Sequence, residues 1–234
     1  MNWLHSVDLA LFHFINSTLE NPFFDWLMPA LSGYTVPWLP ALLLVVVWIV
    51  IRGTARLRLC VLLGVLIVSL GDPFIIGNIK HSIQRPRPFV TVPDARHYLV
   101  DTNRFERGAG YVAALPNGTL PTTSNLNSMP SAHAANWFSF TAIAFIFYRR
   151  SLFYLLPLAT SIALSRVYNG VHYPADVSVG ALLGAFYGAA SVYLLQWLWA
   201  MLGSRLAPKW HQRIPNLIHP EATIQTQIGS TDKS

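Results

Sequence analysis

Charge is scarce in this chain. Asp, Glu, Lys and Arg make up only 11% of its 234 residues, where a soluble globular domain carries roughly 25%, so lipid is the expected solvent for much of the molecule. Cysteine is scarcer still: Cys60 stands alone, which excludes an internal disulfide and dithiol redox chemistry within one chain. Its place inside an apolar run marks it as a small core or lipid-facing residue. No Lys or Arg precedes Arg52, so a charged leader ahead of an apolar core is missing and no cleavable signal peptide is expected. The net charge of +6 is not gathered on one polar face. The basic residues stand at the ends of apolar runs, so nucleic acid is not expected as a partner.

What is present is hydrophobic sequence in long runs, 53% of the chain in all. Tyr34 to Ile51, Leu57 to Ile79, Ser131 to Tyr148, Leu152 to Val167 and Val177 to Leu202 each approach or exceed the ~17 to 25 residues that carry a helix across hydrocarbon. Only Arg149, Arg150 and Ser151 part the third run from the fourth, and adjacent arginines suit a polar turn better than a helix centre. Near the N-terminus, Trp3, Leu4, Val7, Leu11, Phe14 and Ile15 recur at helical spacing while His5, Asp8 and His13 interrupt them, a pattern for a helix lying in the interface. The expected fold is therefore all-α: a polytopic bundle of about five transmembrane helices in one membrane-embedded domain, residues 1–202. Residues 1–33 form its interfacial segment, 89–129 an outer loop, and 203–234 a polar tail disordered over its last ~15 residues.

Basic residues orient the bundle. Arg52 to Arg58, the Arg149 and Arg150 turn, and Arg205, Lys209 and Arg213 all fall on one side of a five-span topology, which should be cytoplasmic. The polar stretches Lys80 to Pro88, Pro130 to His133 and Ser165 to Asp176 then converge on the outer face. Each alone has an ordinary reading. Lys80 and Arg87 are separated by seven positions and fit an interfacial anchor, or two cations at a mouth. Ser131 is placed as an N-cap ahead of the N–H groups of Ala132, His133 and Ala134; a helix start of this kind binds anions, and His133 beside it could donate a proton. Asp176, in the first turn after Pro174, is placed to reach back to His172, either as a structural pair or as the carboxylate that orients a nucleophilic imidazole.

Together the three stretches resemble the type 2 phosphatidic acid phosphatase (PAP2) superfamily, which also includes bacterial diphosphate-lipid phosphatases and soluble vanadium haloperoxidases. Lys80 and Arg87-Pro88 meet its Lys, six residues, Arg-Pro pattern; Pro130, Ser131 and His133 meet Pro-Ser-Gly-His; Ser165, Arg166, His172 and Asp176 meet Ser-Arg, five residues, His, three residues, Asp. Ala132 stands where the family usually has Gly, and its methyl is compatible with a helix start while narrowing the room for phosphate. The resemblance implies that His172 attacks phosphorus, Asp176 orients it and His133 protonates the leaving oxygen. Lys80, Arg87, Arg166 and Ser131 would hold the phosphate. No metal and no cofactor are implied, and acidic residues near the site are too few for a magnesium cage.

The implied substrate is a lipid phosphate or diphosphate, with undecaprenyl diphosphate first; phosphatidylglycerophosphate, phosphatidic acid and lipid A phosphates fit the same residues, by hydrolysis or phosphotransfer. The bilayer is the expected setting, a bacterial inner membrane with the site on the periplasmic side. A transport protein is the rival from another class, with Asp72 and the outer charges lining a pathway. A soluble haloperoxidase is opposed by the apolar runs. Two further features are open to function. Arg96, Arg104 and Arg107 could make the outer loop a lid that holds a second phosphate, and Asp72, between Gly71 and Pro73, is expected to face the bundle interior.

Overall fold

The computed structural model describes residues 3–33, 38–100, 102–107 and 126–218. Residues 108–125 of the outer loop and the tail from residue 219 lie outside the described residues. Helices α1 (Trp3–His13) and α2 (Pro22–Leu31) are joined through a π-helical turn, Phe14–Thr18. Asn21 starts α2 by accepting from the Phe24 N–H at 3.0 Å, with Pro22 in the first turn, where a missing donor costs nothing. The apolar helices follow: α3 (Trp38–Arg52), α4 (Ala55–Gly71) capped by Thr54, and α5 (Gly77–Ile83), reached from α4 through a second π turn, Asp72–Ile76. A short α6 (Pro88–Thr91) leads to strands β1 (Arg96–Leu99) and β2 (Arg104–Arg107), paired antiparallel. Then come α7 (Ala132–Phe147), a 3-10 turn over Arg149–Ser151, α8 (Leu152–Tyr168), the long α9 (Pro174–Leu206) and α10 (Pro208–Arg213).

The chain is mostly helical, and a helix occupies each of the five expected runs. Three of them, Ala55–Ile83, Arg149–Tyr168 and Pro174–Leu206, are long and apolar enough to cross a membrane by length and composition; Leu43–Arg52 and Ala132–Phe147 are shorter apolar helices. The β-hairpin departs from the all-helical expectation. Large apolar side chains face outward, with Leu44, Phe153, Leu182 and Phe186 each more than 70% exposed, while small residues line the interior, which is the arrangement lipid favours. Cys60 is buried with Leu63, Ile143 and Val192, so of its two expected settings it takes the core.

One contact sets the register of the bundle. Gly180, Gly184 and Gly188 lie one turn apart on α9, and a Cβ on each would stand 2.4 Å from the Ser131 carbonyl oxygen, 2.1 Å from that of Ala135 and 2.6 Å from that of Ser139. The two backbones touch because these side chains are absent. The starts of α7 and α9 are thereby brought together, and the Ser131 N–H donates to the Asp176 carbonyl at 3.0 Å.

Candidate active site

The ends of α5, α7, α8 and α9 meet at one end of the bundle. Lys80 sits in the last turn of α5, Arg166 in the last turn of α8, His133 in the first turn of α7 and Asp176 in the first turn of α9. Arg87 and His172 come from the connections before α6 and α9. The electrostatic couplings close the set: Lys80 senses Arg87, Asp72, Arg166 and Asp176; His133 senses Arg166, His172, Lys80 and Arg87; His172 senses Arg166, Arg87 and Lys80. Ser131, Arg166, His172 and Asp176 are buried, whereas Lys80, Arg87 and His133 are half-buried. All seven sequence-predicted site residues are therefore neighbours.

Local hydrogen bonds explain how a proline-rich loop delivers Arg87 there. Its N–H donates to the Leu126 carbonyl at 3.1 Å, the Ser128 N–H donates to the Arg85 carbonyl at 2.7 Å, and the Asn127 amide donates to the Lys80 carbonyl at 3.2 Å. The segment just ahead of α7 is thus sewn to the segment carrying both cations. Lys80 and Arg87 open onto a cavity of about 450 Å³ that Asp72, Pro73, Gly77, Asn78 and His81 also line. Asp72, expected to face the bundle interior, is half-buried, lines this cavity and senses Lys80. The π turn that begins at Asp72 is the kind of helical irregularity that recurs at functional sites.

His172 is 2% exposed. Burial, followed by Arg166, Arg87 and Lys80, drives its imidazole well below the usual histidine range, because charging it would add a cation to a desolvated cationic pocket. It is neutral at pH 7, with a lone pair on one ring nitrogen. Two sequence expectations need correction here. The Asp176 carboxylate does not hydrogen-bond His172: Oδ2 stands 3.8 Å from Nδ1, accepts instead from the Tyr173 N–H at 2.7 Å, and Oδ1 accepts from Arg85 at 2.8 Å. Asp176 serves the capping box of α9, and its second oxygen is drawn to a guanidinium. Ser131 holds the N-cap position, but its hydroxyl makes no capping bond and is buried without a partner.

Arg85 and Asp8 were not foreseen from the sequence. Arg85 bridges Asp176 and Asp8, the latter at 2.6 Å, and lies over the Tyr173 ring, 3.9 Å from its centroid. Burial alone would lower its pKa, yet Asp176 and Asp8 outweigh that and raise it, so the guanidinium stays charged. The available signal was an acid on the apolar helix α1 and a second arginine two residues ahead of Arg87.

Of the three outer-loop arginines expected to form a lid, two are held in ion pairs. Arg96 is 2% exposed and committed to Asp25 at 2.7 Å and Glu20 at 3.5 Å; Arg107 pairs with Glu20, and Arg104 alone of the three is exposed without an ion pair among the described residues. The buried Asn16 amide donates to the Arg96 carbonyl at 2.9 Å and to the Tyr168 carbonyl at 2.7 Å, while its oxygen accepts from the Arg96 N–H at 2.8 Å. The hairpin buttresses the turn that carries His172. Within that turn Gly170 has φ +77°, and a Cβ there would meet the Arg96 carbonyl at 2.1 Å. Arg96→Ala should cost about 2 kcal/mol of stability, through the lost packing of a buried side chain and its charge-assisted hydrogen bond to the partly exposed Asp25. It should leave the ratio of activities on monophosphate and diphosphate lipids unchanged; a melt in detergent and paired assays check both, and a changed ratio would restore the lid.

Taken as chemistry, the end of the bundle offers a buried neutral imidazole, three cations and a helix start, a combination suited to holding and attacking a phosphate. Comparison with known proteins bears on this. A family model described as the PAP2 superfamily matches residues 55–200. The protein named "Bacitracin transport permease protein BcrC" from Bacillus licheniformis is 41% identical over 75 residues, a match that spans 30% of this chain and only 37% of that protein. The protein named "Putative undecaprenyl-diphosphatase YbjG" from Escherichia coli is 31% identical over 208 residues, covering 87% of this chain and 88% of that one. Among solved structures, the crystal structure of Aquifex aeolicus LpxE superposes with a TM-score of 0.54 at 20% identity, over 80% of this chain and 95% of that one, which shows a shared fold.

Proposed function

Because the chain belongs to the PAP2 superfamily, we propose that it is an integral-membrane phosphatase acting on a lipid phosphate or diphosphate, with undecaprenyl diphosphate the first substrate to test. The observation that carries this reading is the gathering of Lys80, Arg87 and Arg166 around a buried, neutral His172 with His133 beside it. A neutral imidazole amid cations is arranged to attack an anionic phosphorus centre. The likeness over 87% of this chain to the protein named "Putative undecaprenyl-diphosphatase YbjG" is what puts this substrate first for testing. The match to the protein named a transport permease spans too little of that protein to carry transport over to this chain.

In this reading the lone pair of His172 forms an N–P bond as the P–O bond to the lipid leaving group breaks. That bond's electron pair departs on oxygen, which takes a proton from His133, whose imidazole becomes charged once the bound anionic phosphate offsets the surrounding cations. Water then attacks phosphorus, returns a proton to His133, and the N–P bond breaks to free phosphate. Lys80, Arg87, Arg166 and the first-turn N–H groups of α7 hold the equatorial oxygens, where positioning and charge neutralisation do most of the work of phosphoryl transfer. The positively charged turns at the far end favour a periplasmic site.

The test is phosphate release by purified protein in detergent containing EDTA, across undecaprenyl diphosphate, phosphatidylglycerophosphate, phosphatidic acid and lipid A phosphates. Release with the isoprenoid diphosphate turned over fastest is expected. A preference for another member would replace the substrate, and silence in EDTA that magnesium restores would remove metal independence. A cysteine tag at Arg104 should react with an impermeant reagent added outside intact cells; labelling only from the cytoplasm would reverse the orientation.

A further inference from the structure

The α1 helix turns its apolar face outward: Trp3, Leu4, Val7 and Leu11 are exposed while Asp8 is 8% exposed. A carboxylate buried on the inner side of an apolar helix needs a reason. Asp8 has two partners in the structure. Its Oδ2 accepts from one nitrogen of Arg85 at 2.6 Å, and its Oδ1 accepts from the Ala175 N–H, at the start of α9, at 2.8 Å. The other terminal nitrogen of Arg85 reaches Asp176 at 2.8 Å.

We propose that Asp8 is a positioning residue for the reacting pair: by sharing Arg85 with Asp176, it keeps the charge of Asp176 effective toward His172. The proposal rests on His172 being the nucleophile. Two carboxylates and one guanidinium carry a net charge of −1, whereas Arg85 with Asp176 alone would sum to zero. His172 must pass through a cationic, phosphorylated state while surrounded by Arg166, Arg87 and Lys80, so a net negative group 3.8 Å from its Nδ1 steadies the step. Without Asp8, the guanidinium would neutralise the one carboxylate that faces the ring. The same contact fixes α1 across the start of α9, so the docking of this helix and the electrostatics of the pair are one device.

Charge arithmetic supplies the test. Asp8→Asn should lower kcat by roughly 10- to 100-fold with KM little changed. Adding Arg85→Gln should raise kcat again, to within about tenfold of wild type, because Asp176 alone restores the net charge of −1. Two changes that merely damaged structure would accumulate rather than compensate. The proposal is overturned if Asp8→Asn, assayed per folded molecule, keeps wild-type kcat, or if the double variant is as impaired as the single. Should Asp8→Asn not fold, the double variant, in which Asp176 keeps the Tyr173 N–H as a donor, carries the test by itself, and a loss beyond about 100-fold would sink the idea. Phosphate release by His172→Ala would instead undo the nucleophile beneath it, a failure readable separately.

Discussion

His172→Ala should abolish phosphate release, with a loss of at least ~10⁴-fold in kcat, in the range found when the nucleophile of a covalent mechanism is removed. The expected size follows from position. At 2% exposure the imidazole cannot readily be replaced by bulk water, and His133, which senses the same three cations, has the separate role of acid. Binding should survive, because Lys80, Arg87 and Arg166 remain, so the variant should still bind vanadate as a phosphate mimic. Rapid alkaline quenching of wild-type protein with labelled substrate should trap an acid-labile, base-stable phosphoenzyme that the variant lacks. Release by the variant at an undiminished rate would transfer the nucleophilic role to water or to another residue.

The second large effect concerns a residue with no side chain. Gly184→Val should lower stability by about 3 kcal/mol or more and cut activity per folded molecule by roughly 100-fold. The three atoms that a Cβ would meet, at 2.1, 2.7 and 2.7 Å, all belong to the Ala135 backbone and cannot rotate away. The helices must part, and with them the Ser131 N–H and Asp176 carbonyl that join the starts of α7 and α9. Gly77→Ala is the control for stability, since its Cβ would meet only the Asp72 carbonyl at an ordinary 3.4 Å. Equal melting temperatures for Gly184→Val and wild type in detergent would show that α7 and α9 can separate without cost.

Much of the site was legible because its chemistry is written at fixed spacing. Lys80 and Arg87, Ser131 and His133, and Arg166, His172 and Asp176 were each placed at a helix end, and alternation of span direction brings those ends together. Spacing could not say where a carboxylate points. Asp176 is near His172 as expected, but its oxygens answer to Tyr173 and Arg85, and Arg85 in turn answers to an acid 77 positions away. Such bridges are made by packing and leave only local hints. The β-hairpin was missed for a related reason: four-residue strands carry little periodicity, and β1 is held in part by Asn16, from the turn after α1. The Gly180, Gly184 and Gly188 repeat was not read from the sequence, and its meaning comes from the carbonyls it meets.

The shortness of α7 sets a depth. Its 16 residues rise about 24 Å, less than the ~30 Å of hydrocarbon in a typical bilayer. On the proposed topology, with the Arg149 and Arg150 turn held at one surface, Ser131 and His133 are expected several ångströms below the other, roughly at the level of acyl-chain ends nearest the headgroups. A lipid therefore delivers its phosphate by sinking slightly rather than by leaving the leaflet. The dimension in which a lipid substrate is counted would then be area, with occupancy of the site following molecules per unit of membrane.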